Sequence, residues 1–226
     1  MHPSSVCLIP ARAGSKRIPH KNIIDFHGKP LIAWSIENAL ASNLFSNVYV
    51  STDSTEIADI ATTYGAIVPF LRPAKLADDY ASDIDVRNHF LSFLSSTSIC
   101  ARYLCYLYPT APFATPSILQ HCFTQLINSD SSCVFTINQF SYPIQRALVF
   151  NEENHVEFFT PQFSSHRSQD LISTYHDAGQ CYFFNLSHSN LDATRSGYIL
   201  PPHSSVDIDT QDDLEFARLL FKLKFL

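Results

Sequence analysis

Apolar residues in the first half of the chain come in two patterns: short unbroken or β-branched runs, and longer stretches at helical spacing. Residues 6–9, Val6-Cys7-Leu8-Ile9, have the length and composition of a buried strand. Over 31–41, Leu31, Trp34, Ile36 and Leu40 fall mostly on one side of a helix, behind Pro30, a residue suited to the first helical position. Residues 47–51 read as a β-branched strand. Ile57, Ile60, Ala61 and Tyr64 then recur at helical spacing, with Asp53 or Ser54 as the cap and Gly65 as the terminator. The same reading predicts a strand over 66–71, a helix over 83–94, a strand over 103–108, a helix over 116–128 and a strand over 132–137. Strands alternating with helices of this length need crossover connections. The expected fold class is therefore α/β, with three layers built on a mostly parallel, twisted sheet.

Residues 140–175 break this rhythm. Short strand-like pieces at 147–150 and 155–159 lie beside a polar segment, Ser164-Ser-His-Arg-Ser-Gln-Asp170. They predict a small β-rich insertion in a single domain spanning 1–226. The sheet resumes over 180–186, and 210–225 form a closing amphipathic helix.

Composition narrows the function. Hydrophobic residues make up 46% of the 226 and charged residues 16%, which predicts a packed core. A net charge of −6 argues against nucleic acid or an anionic membrane as partner. No apolar run approaches the roughly 20 residues that span a bilayer. Met1-His2-Pro3-Ser4-Ser5 runs straight into the first strand without the pattern of a secretion signal, so a cytoplasmic protein is expected. Of the six cysteines, Cys7, Cys105, Cys133 and Cys181 sit in apolar strand-like runs and no Cys-x-x-Cys occurs. Reduced, buried thiols are the expectation.

Against this acidic background, Arg12, Lys16, Arg17 and Lys21 fall within ten residues that contain no acid. They occupy a loop directly after a strand, with Gly14 and Ser15 leaving backbone N–H groups accessible, which is what a polyphosphate requires. A solvated basic loop is the alternative. The chain has no Gly-x-x-x-x-Gly-Lys-Ser/Thr motif, and its five glycines form no Gly-x-Gly-x-x-Gly. Sites in such folds lie beyond the carboxyl ends of the strands, which here carry Arg12, Ser51-Thr52-Asp53, Arg72 and Tyr108-Pro-Thr-Ala-Pro112. Asp207 and Asp209, two apart, present both carboxylates to one side of an extended segment. They can hold a divalent cation, or simply decorate the start of the last helix, where Thr210 caps and Asp213 favours the dipole.

The loop Pro-Ala-Arg-Ala-Gly-Ser-Lys-Arg-Ile-Pro-His-Lys-Asn, residues 10–22, resembles the signature of the cytidylyltransferases that activate nine-carbon acidic sugars, the sialic-acid family. Gly28-Lys29-Pro30-Leu31-Ile32, Val50-Ser51-Thr52-Asp53, Arg72-Pro73-Ala74 and Asp207-Ile208-Asp209-Thr210 follow in the family's order, almost to the C-terminus. Phe140-Ser-Tyr-Pro-Ile-Gln-Arg146, Tyr175-His-Asp-Ala-Gly-Gln180 and Tyr108-Pro-Thr-Ala-Pro-Phe113 resemble its pseudaminic acid branch. Ala13 stands where the family has glycine, and His20 where the branch often has a basic residue. Cys181-Tyr-Phe-Phe-Asn185 lacks the usual tryptophan-glycine.

The resemblance implies a Rossmann-like fold of the nucleotide-diphospho-sugar transferase type. It also implies transfer of CMP from CTP to the anomeric hydroxyl of pseudaminic acid, with release of diphosphate. N-acetylneuraminic, legionaminic or another nonulosonic acid is the nearest alternative substrate. A non-catalytic nucleotide or sugar sensor is the alternative of another class. In this reading Arg12, Ser15, Lys16 and Lys21 hold the triphosphate and Asn22 lies near the base or ribose. Arg72 reaches phosphate or base, or is a surface charge; the Ser82 hydroxyl and the Thr110 backbone are candidates for reading cytosine. Arg12, Lys21 and Asp209 carry catalysis, with Asp207 and Asp209 holding Mg2+ (or Mn2+). Arg146 or Arg167 pairs with the sugar carboxylate, while Gln145, His176, Asp177 and Gln180 bond its hydroxyl and acylamino groups. The family's inserted region mediates a homodimer, so Arg167 can act in the neighbouring subunit's site.

Overall fold

The computed structural model describes residues 4–226; Met1, His2 and Pro3, where the leader reading starts, lie outside them. Six strands form one sheet. β1 (Ser5–Pro10) is central to its first half, pairing in parallel with β2 (Asn47–Ser51) and β3 (Tyr103–Leu107). β7 (Tyr175–Asn185) runs antiparallel between β3 and β4 (Cys133–Gln139), and β8 (Arg195–Ile199) closes the far edge parallel to β4. The order is β2-β1-β3-β7-β4-β8, with only β7 reversed, so the sheet is mostly parallel.

Strand alternation divides the core between the two faces. Cys7, Ile9, Val48, Val50, Cys105 and Leu107 point to one side, where α1 (Leu31–Ala41), α2 (Thr55–Thr63) and α4 (Pro116–Ile127) bury Ile32, Ile36, Ile57 and Leu119. Val6, Leu8, Leu104 and Tyr106 point to the other, covered by Phe90 and Leu94 of α3 (Asp83–Ser95). Local chemistry places the helix ends. Ser54, rather than Asp53, caps α2, and Gly65 follows it in the left-handed region at φ +93°. Ser82 and Asp85 form a capping box on α3, as do Thr210 and Asp213 on α5 (Gln211–Phe225). Pro30 sits one position ahead of α1, at its cap rather than inside it.

A third cluster joins α5 to the loop after β1. Ile18, Phe26 and Leu31 pack with Val206, Ile208, Leu214 and Phe221. This contact brings opposite ends of the chain to one crevice.

Two expectations need correction, and one strand was not anticipated. Residues 66–71 form no continuous strand: they touch the outer edge of β2 through two isolated parallel bridges, Tyr49 to Ile67 and Thr52 to Leu71. Pro69 lies between the two bridges and has no N–H to donate. The sheet resumes at Tyr175 rather than at 180, since residues 175–177 pair with 137–139 beyond a bulge in β4. β8 carries too weak an alternation to be read from sequence, and Gly197 within it lies directly beneath Ile137. Over 140–175 the structure places a separate two-stranded sheet, β5 (Leu148–Phe150) with β6 (Val156–Phe158). Among the described residues no helix is long and apolar enough to cross a membrane.

Candidate active site

β1 delivers the chain into the basic loop at the carboxyl end of the sheet, and hydrogen bonds and one buried side chain hold that loop. Ala13 N–H donates to Asp53 Oδ1 at 2.9 Å, and the Asn22 carboxamide donates to the Arg12 carbonyl at 2.9 Å. Asn22 is therefore spent on the loop backbone, while still lining the cavity above it. Ile18 is fully buried, so the residues on either side of it are anchored while their charged tips face the crevice.

A cavity of about 510 Å3 opens there. Arg12, Ser15, Lys16, Arg17, Lys21, Asn22, Arg72 and Thr110 all line it, so the structure brings together every triphosphate candidate. Each of the four loop cations has a protein anion. Asp79 pairs with Arg12 at 3.0 Å and with Lys16, and these two hydrogen bonds hold its carboxyl below the ordinary range. Asp209 pairs with Arg17 at 2.8 Å and Lys21 at 3.2 Å, and Lys21 also donates to the Ile208 carbonyl at 2.6 Å. Arg72 is buried, donating to the Ser51 hydroxyl and carbonyl and to the Leu76 carbonyl. Burial pulls its pKa below the usual value, opposed by the nearby charge of Asp53. It is no free surface charge. The Ser82 hydroxyl is engaged with Asp85 in the capping box and does not face the cavity, because the helix start claims it.

A second cavity of about 330 Å3 adjoins the first, sharing Lys21, Tyr108, Thr110 and Asp209 with it. Asp177, Gly179, Tyr182 and Asp207 complete its wall. Asp207 and Asp209 thus do face one space, as their spacing predicts. Asp207 is open to solvent on one side, yet desolvation first and repulsion from Asp209 second push its carboxyl above the ordinary range. Gln180 is buried; its carboxamide donates to the Ala178 carbonyl at 3.2 Å and the Val206 carbonyl at 3.4 Å, which ties β7 to the segment carrying Asp207. Asp177 accepts from Gly179 N–H at 2.9 Å and from the Tyr182 hydroxyl at 2.7 Å. His176 points the other way, against Phe140, with ring centroids 4.9 Å apart.

The remaining sugar-side candidates lie elsewhere. Gln145 donates to the Ile172 carbonyl, Arg146 to the Ser168 hydroxyl, and Arg167 makes a bidentate pair with Asp170. All three belong to the insertion, and none lines either cavity of its own chain. Sequence reasoning missed Asp79, Asp83, Tyr106 and Tyr182 as site residues, and left Arg17 without a role. Asp79 sits in an exposed acidic turn with no motif, and Tyr182 reads from sequence as one more apolar strand residue. Only the folded contacts single them out.

The chain belongs to the cytidylyltransferase family, whose model matches residues 6–226. It is a nucleotidyltransferase of that family. It is 45% identical to the pseudaminic acid cytidylyltransferase of Campylobacter jejuni subsp. jejuni serotype O:23/36 (strain 81-176), over 97% of each chain. It is 32% identical to the N-acylneuraminate cytidylyltransferase of Escherichia coli O18:K1:H7 (strain RS218 / NMEC), covering 96% of this chain and 52% of that one. Its fold is shared with a CMP:2-keto-3-deoxy-manno-octonic acid synthetase solved with CTP, at a TM-score of 0.69 and 17% identity over 98% of this chain and all of that one.

Proposed function

We propose that the chain transfers CMP from CTP to pseudaminic acid. The carrying observation is the convergence of Arg12, Lys16, Arg17 and Lys21 with Asp207 and Asp209 on two adjoining cavities. The first cavity suits a triphosphate, since its cations are held on a strand-anchored loop before the ligand arrives. The second suits a polyhydroxylated sugar. With the sugar's anomeric oxygen placed against the α-phosphorus, a new P–O bond forms there. The α–β anhydride breaks, diphosphate leaves with the electron pair, and the hydroxyl loses its proton. Lys21 and Arg12 hold the phosphates in line and offset the charge that separates. The kinship with pseudaminic acid cytidylyltransferases supports this sugar over N-acetylneuraminic or legionaminic acid.

Asp207 and Asp209 fit Mg2+ (or Mn2+). Two carboxylates on one wall leave the other positions to water and phosphate oxygens, the usual arrangement for that ion. When bound, Mg2+ would neutralise charge on the phosphate oxygens.

The same reading places the enzyme in the cytoplasm, where all six free thiols would stay reduced. It also makes it a homodimer through the insertion. Tyr142, Phe150, Phe159 and Ile172 there are 70–84% exposed, an apolar surface that a second copy would cover while bringing its Arg146 or Arg167 to the neighbour's sugar.

Diphosphate release from CTP, measured with a panel of nonulosonic acids, tests the function. Pseudaminic acid should give the highest kcat/KM. Preference for another acid refutes the sugar, and binding without turnover refutes the enzyme. Calorimetry with CTP should show a Mg2+ dependence that Asp209→Asn abolishes. Sedimentation should give a dimer that Ile172→Asp dissociates.

A further inference from the structure

Two tyrosines of the first cavity, of which Tyr108 also lines the second, meet a single carboxylate. Tyr106 and Tyr108 are two residues apart where β3 ends, so both rings leave the same face of the sheet. The Tyr106 hydroxyl donates to Asp83 Oδ1 at 2.7 Å and the Tyr108 hydroxyl donates to Asp83 Oδ2. Asp83 opens α3, and the adjoining Ser82–Asp85 capping box satisfies the helix start without it, leaving its carboxylate to face the sheet. The Tyr108 ring meets Tyr182 edge to face at 5.8 Å between centroids, and the Tyr182 hydroxyl donates to Asp177.

A tyrosine hydroxyl carries one proton. Once that proton is committed to a carboxylate, only the oxygen's lone pairs are left for a ligand. Burial first, and the charge of Asp83 second, raise the Tyr108 pKa, so the hydroxyl keeps its proton and points it at Asp83.

We propose that Asp83 is a positioning residue that makes Tyr108 an obligate hydrogen-bond acceptor toward the sugar, which must present an N–H or O–H donor there. The proposal rests on the sugar-transfer reading above. The rest of the second cavity agrees with it. Asp177 is an acceptor, Tyr182 has spent its proton on Asp177, and Lys21 is the one cationic side chain among the described lining residues. Such a wall suits hydroxyl and acylamino donors.

The test is Asp83→Asn, whose carboxamide offers one acceptor oxygen and two N–H donors and so releases the Tyr108 proton toward the ligand. In the diphosphate-release assay with pseudaminic acid, KM for the sugar should rise about tenfold or more, the loss of one hydrogen bond, while KM for CTP stays within about twofold. Tyr108→Phe should raise the sugar KM similarly, and Asp83→Asn should add nothing on that background. An unchanged sugar KM in Tyr108→Phe overturns the proposal whether or not Asp83→Asn folds. So does a full Asp83→Asn effect in the Tyr108→Phe background, or an effect confined to CTP. A wild-type chain inert toward every nonulosonic acid overturns the sugar-transfer reading and this proposal together. An active wild type with unaffected variants overturns this proposal alone.

Discussion

Lys21 donates to Asp209 at 3.2 Å, joining the loop after the first strand to a residue 188 positions further along the chain. The pair does not hold this geometry alone. Ile18 and Ile208, both buried in the same small cluster, clamp the two backbones together, and the charged tips meet above them. Burial supplies the free energy of the contact, while the charges set its chemistry.

Ile208→Ala should therefore damage both stability and catalysis. Removing a fully buried isoleucine should cost about 2–4 kcal/mol, read from urea unfolding. CTP turnover should fall as well, because the carboxylate of Asp209 loses its fixed distance from Lys21. A variant that loses stability but keeps full kcat/KM would show that the clamp is purely structural.

Lys21→Ala leaves Asp209 paired with Arg17, so the fold should persist by circular dichroism. The kcat/KM for CTP should fall by about a hundredfold or more, the effect of removing one fixed charge from a phosphoryl-transfer site. Lys16→Ala, at a more exposed position, should lose less.

Asp79 occupies the cations that phosphate needs, pairing with both Arg12 and Lys16. Asp79→Asn should consequently lower KM for CTP severalfold at low ionic strength. Both pairs are exposed, so the gain should shrink as salt is added and screening weakens them. Steady-state kinetics at low and high salt would show it; a raised KM would mean that Asp79 orders the loop instead.

Asp207 has a carboxyl raised above the ordinary range, by desolvation and then by Asp209. A raised folded pKa favours the protonated form. Its stabilising contribution is complete below the ordinary carboxylate pKa and is lost as pH rises through the elevated one. At neutral pH the ionised group thus costs stability, and Asp207→Asn should melt higher than the wild type there while losing activity. The difference should vanish as the pH falls below the ordinary carboxylate range. Melting temperature as a function of pH checks the sign.

Much of the fold was legible from short stretches of sequence. Val6-Cys7-Leu8-Ile9, the Thr210–Asp213 capping box and Gly65 behind α2 each announce their element from within a few residues. The extended stretch around Pro69 and the edge strand at Gly197 were misread or missed, because what orders them is β2 and β4, not their own pattern. In the site, the cationic loop and the Asp207–Asp209 spacing were visible, being local in the chain. Asp79, Asp83 and Tyr182 were not, since nothing beside them in sequence marks a turn acid or a strand tyrosine as part of a cavity.

By itself the sequence determined the α/β class, the helix ends, the concentration of positive charge after β1 and the family to which the chain belongs. Periodicity, capping and charge density act over a few residues and survive without a fold. Only tertiary structure decided which charges meet. Arg12 finds Asp79 across 67 positions and Lys21 finds Asp209 across 188, because apolar packing on both faces of one sheet, and the cluster of Ile18 with Ile208 beside it, bring those segments to its carboxyl end. The side chains on that edge became an active site through burial elsewhere, at residues that carry no charge at all.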